Sequence, residues 1–110
     1  MPDARDFLIV MSSLPDPATA REIADDLVRT GLVACAQVIT GVHSVFQWAG
    51  KQEHADECLL LMKTTSKRYR ELEVRIKALH PYELPEILAV PLVAGLDNYL
   101  SWMEKNTDIH

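Results

Sequence analysis

The sequence predicts an α+β domain in the order βαββαβα, an antiparallel sheet covered by helices. Three observations carry this. Phe7–Met11 and Cys58–Met62 are continuous apolar runs of strand length. Two segments with apolar residues at helical spacing, Ala20–Val28 and Tyr69–Leu79, lie between strand-like stretches. One long extended segment ends in Ala49-Gly50-Lys51, the composition of a hairpin turn.

The elements follow in order. Phe7 to Met11 reads as a strand buried on both faces, closed by Ser12-Ser13-Leu14-Pro15. Asp16-Pro17 opens a helix, with an acceptor at the N-cap and a preset φ at the first helical position. Ala20, Ile23, Ala24, Leu27 and Val28 form its stripe, and Gly31 suits a left-handed C-terminal residue. Leu32 to Trp48 reads as extended chain interrupted at Gly41, a natural bulge point. Glu57 to Thr65 returns as a central strand. Ser66 is placed as the cap of a second helix with Tyr69, Leu72, Ile76 and Leu79 on its apolar side, and Pro81 stops it. Pro81 to Pro85 is stiff and extended. Ile87 to Leu92 is the fourth strand, with Pro91 marking an edge. Leu96 to Lys105 is a last helix whose apolar side is Tyr99, Leu100, Trp102 and Met103. Two βα crossovers flanking one hairpin give a ferredoxin-like arrangement, a single domain with its core from about residue 7 to 103.

Composition narrows the function. The chain has 110 residues, 48% apolar and 25% charged, so an ordinary core is expected. Net charge is -5 and no basic run occurs, which argues against nucleic acid as a partner. No apolar stretch reaches the roughly 18 residues of a membrane span, and the polar start is followed by no signal-peptide core. A cytoplasmic home is expected. Cys35 and Cys58 are expected as unpaired thiols, set about 23 Å apart along the hairpin.

The extended segment also implies association. Ala34 to Trp48 would span roughly 45–50 Å, against a radius of gyration of about 13 Å for a compact domain of this size. A projecting tip carrying Phe46 and Trp48 exposes aromatic surface and strand edges. Docking on further copies of the chain removes both.

Four segments carry a family resemblance: Ala34-Cys35-Ala36-Gln37-Val38, Trp48-Ala49-Gly50-Lys51, Leu61-Met62-Lys63-Thr64-Thr65, and His80-Pro81-Tyr82-Glu83-Leu84-Pro85-Glu86-Ile87. In order and spacing they resemble the signature segments of the CutA family of divalent-cation tolerance proteins, from about Phe7 to Met103. The resemblance implies a homotrimer of ferredoxin-like subunits bridged by long β-hairpins, similar in architecture to PII-type signalling proteins. It also implies tolerance to divalent cations, copper especially, and no settled catalytic reaction. Some members carry Cys where this chain has Ser12 and a second His where it has Leu79, so a copper site built on those donors is not expected here.

Candidate residues follow. His80, at a helix end before a rigid Pro-bounded segment, is the leading metal ligand, since imidazole suits copper, zinc and nickel; the alternative is a structural role at the helix C-terminus. Cys35 is a second, soft candidate for Cu(I). Weakly bound copper or another divalent ion is the cofactor these imply. Trp48, Glu57, Lys63, Tyr82 and Glu83 could line a ligand cleft between protomers, with Lys63 either holding an anion or pairing with Glu57 or Glu83. Glu83 and Glu86 fall on opposite faces of extended chain and form no acid/base pair. His43, His54 and His110 are read as standing singly in strand, turn and tail. No catalytic motif is recognisable, so an enzyme with an intersubunit site ranks behind a metal-responsive trimer and behind a PII-like sensor of small ligands.

Overall fold

The structure, a computed structural model, describes residues 2–107. Strand β1 spans Phe7–Leu14, helix α1 Pro17–Arg29, strand β2 Cys35–Trp48, strand β3 Lys51–Thr65, helix α2 Tyr69–Leu79, strand β4 Leu88–Pro91 and helix α3 Asp97–Lys105. Short 3₁₀ turns at Ala4–Asp6 and Ser66–Arg68 precede β1 and α2. The sheet order is β2-β3-β1-β4 with every pairing antiparallel. The apolar run of β3 is therefore central, and β4, with Pro91, is an edge.

Local chemistry sets the first crossover. Asp16 Oδ1 accepts from the Thr19 N–H at 2.8 Å, and Pro17 follows as the first helical residue. At the other end Leu32 N–H bonds the Leu27 carbonyl and Gly31 N–H the Val28 carbonyl. That pair of bonds needs a left-handed residue, and Gly31 supplies it at φ 74°. The second helix starts differently from expectation. Ser66 does not cap it; its hydroxyl donates to the Asp6 carbonyl at 2.9 Å, tying the end of β3 to the start of β1.

Alternation sorts the side chains. Val10, Ser12 and Leu14 of β1 and Cys58, Leu60 and Met62 of β3 point to one face, where Ile23 and Leu27 of α1 and Leu72 and Ile76 of α2 seal them. Arg75 clamps the two helices with a bidentate contact to Asp26 at 2.9 and 2.6 Å. The other face is covered only at one end. There Leu100 and Met103 of α3 pack on Phe7 and Ala34, while Tyr99 and Trp102 stay largely exposed. The apolar run of β1 is thus buried at Phe7 and Val10 and half-buried at Leu8, Ile9 and Met11 within this chain.

The hairpin dominates the shape. The molecule measures 48 × 27 × 23 Å, with a radius of gyration of 14.6 Å. Strand β3 begins at Lys51 rather than near Glu57, so the ladder with β2 continues to Trp48↔Lys51. Its register slips by one residue between Ile39 and Val42, where Gly41 sits at φ 77°. Ala49 and Gly50 form the two-residue turn, both at positive φ (51° and 78°).

A left-handed alanine is strained, whereas asparagine tolerates that conformation. Ala49→Asn should raise stability by about 0.5–1 kcal/mol, read as a higher urea midpoint at unchanged slope. No gain would mean that the turn does not hold the strain its dihedrals indicate.

Candidate functional site

The segment after α2 builds the site. His80 ends α2 in extended geometry (ψ 134°) and is buried, with 8% of its surface exposed. Its Nε2–H donates to the Ser13 carbonyl at 2.8 Å, and its Nδ1 accepts from the Tyr82 N–H at 3.1 Å. Both partners have fixed roles, so the ring is neutral with its proton on Nε2. Burial lowers its pKa from 6.5, opposed by the Ser13 carbonyl and Glu57. The imidazole offered by sequence as a metal ligand thus has both nitrogens engaged in holding the 80–82 segment to β1.

Tyr82 continues from that anchor. Its ring lies 4.9 Å from that of His80, and its hydroxyl donates to Glu57 Oε2 at 2.6 Å. Burial, then the Glu57 carboxylate, raises the phenol well above its usual range. The Tyr82 segment thereby leans over the hairpin base and walls a cleft of about 470 Å³ with Phe46, Trp48 and Leu84. Trp48, Glu57, Tyr82 and Glu83, four of the five residues expected at a cleft between protomers, come together here within one chain. Lys63 does not join them. Its Nζ donates to Tyr99 Oη at 3.2 Å and sits 5.3 Å from that ring's centre, so it pairs with neither Glu57 nor Glu83. The charged side chains of the cleft are acidic, which favours a cationic or neutral guest over an anion.

The remaining metal candidates are dispersed. Cys35 lies opposite Lys63 and is half-buried; Cys58 is buried; both are free thiols. His80 bonds at Ser13, which faces Leu59, so Cys35 is four residues, roughly 13 Å, further along β3. Ser12 lies in the core with no partner for its hydroxyl, and Leu79 offers no donor. Among the described residues, no three His, Cys, Asp or Glu side chains converge as a ligand set.

The reading of His43 and His54 as solitary needs correction. The long ladder puts both in strand, and His43 Nε2 lies 2.9 Å from His54 Nδ1. Register would have revealed the pair had β3 been extended to Lys51. His110 lies outside the described residues.

Comparison with known proteins fixes the family. The sequence pattern described as "CutA1 divalent ion tolerance protein" matches residues 8–106. The chain belongs to the CutA1 divalent ion tolerance family. It is 41% identical over 99 residues to the divalent-cation tolerance protein CutA of Thermus thermophilus, covering 90% of this chain and 96% of that protein. The Escherichia coli CutA proteins are 38% identical over 96 residues, covering 87% of this chain and 86% of theirs. The fold agrees. The solved structure of the divalent cation tolerance protein Cut A1 of T. thermophilus is similar throughout (TM-score 0.91, 40% identity, 93% of this chain and 99% of that one). CutA of Xylella fastidiosa superposes as well (TM-score 0.91, 38% identity, 94% and 99%). The CutA names specify tolerance to divalent cations rather than a reaction.

Two predictions test the anchor and its neighbour. Burial disfavours the His80 cation, so the unfolded chain takes up a proton that the folded protein refuses. Stability is fully present above about pH 6.5 and is lost as pH falls from there toward the folded pKa, by at most about 1.4 kcal/mol per unit for one proton. Chemical denaturation of wild type and His80→Gln between pH 7.5 and 5 should show the wild-type advantage shrinking with acid; a constant gap contradicts it. Ser12→Ala removes an unpartnered buried hydroxyl and should stabilise by about 1 kcal/mol. A measured loss would mean that the hydroxyl has a partner in solution.

Proposed function

We propose that this chain is a homotrimeric divalent-cation tolerance protein of the cytoplasm, binding copper or another divalent ion at modest affinity in the response to metal. The observation that carries the reading is the family match over residues 8–106, on a fold whose hairpin is left unfinished. Phe46 and Trp48 remain 42% and 49% exposed although they share one face of that hairpin. Leu84, Leu88, Val90 and Val93 add exposed apolar surface. A lone two-stranded extension is marginal in water, and neighbouring copies would cover it. Free thiols at Cys35 and Cys58 suit a reducing compartment.

A second reading is a PII-like sensor of small ligands, for which the cleft between Trp48 and Tyr82 would supply one wall of the site. Its acidic lining makes a cationic or neutral metabolite the better guest. This reading rests on architecture and the cleft alone.

Native mass spectrometry of protein taken from cells without chelators reads subunit number and retained ligand together. The expected result is a trimer that takes up Cu(II) on titration, with Phe46→Asp shifting the assembly toward single chains. A stable monomer at micromolar concentration, or a trimer indifferent to Cu(II), Ni(II) and Zn(II), overturns the proposal.

A further inference from the structure

Beyond the Gly41 bulge the hairpin has two unlike faces. One bears Val42, Ser44, Phe46 and Trp48 and turns toward the Tyr82 cleft. The other bears His43, His54 and Asp56, with His43 directly opposite Asp56 and His54 opposite Val45. On that second face the two imidazole rings stand 5.1 Å apart between centres, at 40° to one another. His43 Nε2 lies 2.9 Å from His54 Nδ1, and His43 Nδ1 lies 2.9 Å from Asp56 Oδ1.

The hydrogen-bond roles define the chemistry. An ionised Asp56 only accepts, so His43 carries its proton on Nδ1. Its Nε2 then offers a lone pair, and the proton between the rings belongs to His54 Nδ1. A carboxylate behind the ring with a lone pair in front is how proteins orient a metal-ligating histidine. We infer that His43 Nε2 and His54 Nδ1 are the protein ligands of a divalent-metal site, with Asp56 as the positioning residue behind His43.

The spacing fits an ion. Two metal–nitrogen bonds of about 2.0–2.1 Å at a right angle hold their nitrogens about 2.9 Å apart. That is the observed separation, so the strands need not move. Cis nitrogens at a right angle suit the tetragonal preference of Cu(II) and Ni(II). The proton on His54 Nδ1 passes through solvent to its Nε2, which frees Nδ1 for the ion. Other coordination positions stay open to water, which accords with modest affinity.

Neither folding nor packing explains the cluster. The His43 side chain is 56% exposed and that of Asp56 95%, outside both apolar clusters. The cluster also lies on the hairpin face opposite Phe46 and Trp48, so docking of that aromatic face on another copy leaves it open. His80, by contrast, is buried and has both nitrogens held by backbone groups. The inference rests on the metal-binding reading above and gives it a location.

The test is calorimetric titration of the full assembled protein with Cu(II) in a non-coordinating buffer, with electron paramagnetic resonance of the loaded samples. Wild type should show binding and a spectrum with two imidazole nitrogens. The double variant His43→Gln/His54→Gln should lose at least tenfold in affinity together with that spectrum. Asp56→Asn should keep both nitrogens and bind about 10–100-fold more weakly. All three positions are exposed, and far-UV dichroism with the native mass checks each variant. Wild-type spectra lacking two-nitrogen coordination overturn the site without use of any variant. Equal binding by the double variant overturns this site and leaves the metal reading standing. A wild type that binds neither Cu(II), Ni(II) nor Zn(II) removes both.

Discussion

The pairing of β2 with β3, and the one-residue slip within it, is the constraint on which the other features depend. A strand's side chains alternate, so a slip of one residue moves all that follow to the other face. Before Gly41, Cys35, Gln37 and Ile39 share a face with Lys63, Leu61 and Leu59. After it, Val42, Ser44, Phe46 and Trp48 share that face with Glu57, Ala55, Glu53 and Lys51. Remove the extra residue and Phe46 and Trp48 would turn away from Tyr82, while His43 would turn into the cleft. The bulge thus decides which residues meet the 80–84 segment and which stand alone on the far side.

The second fixed point is His80, and its role is mechanical. It receives one hydrogen bond from the chain two residues on and gives one to a carbonyl of β1, in a place too dry for the cation. Tyr82 carries the tie forward to Glu57 on β3. The short run from His80 to Tyr82 therefore bridges two strands of the sheet, and the prolines at 81 and 85 keep it from collapsing onto them. That stiffness gives the cleft a wall. It also shows what the histidine that looks like a ligand in the sequence does in this fold: it is buried and its ring nitrogens tie the 80–82 segment to β1.

Much of this was legible from residues alone, and the failures have physical causes. Asp16-Pro17 and Gly31 bracketed α1 because caps depend on local chemistry, and the run Cys58–Met62 announced a central strand because burial on two faces leaves an uninterrupted apolar stretch. The bend at Gly41 and the turn at Gly50 were readable for the same local reason. Lys51 to Asp56 was not. Its side chains are mostly solvent-facing, so hydrophobic periodicity is silent there, and it is strand only because β2 supplies the backbone partners. Missing that stretch hid the meeting of His43 with His54. Ser66 failed as a cap because a tertiary acceptor, the Asp6 carbonyl, took its hydroxyl.

The two faces of the hairpin pull on the same two strands, and this ties association to any ligand held between them. Apart from its ladder, the tip has little to keep it paired: its buried contacts are few, and aromatic area is left in water. Covering the Phe46–Trp48 face stabilises the paired form. A ligand bridging His43 of β2 and His54 of β3 stabilises it too, because only the paired form brings the rings within 2.9 Å. Two effects that favour one state of one element reinforce each other, and by linkage the reinforcement is equal in both directions. The element best placed to sense an ion on such a subunit is therefore the one that its own chain leaves least finished.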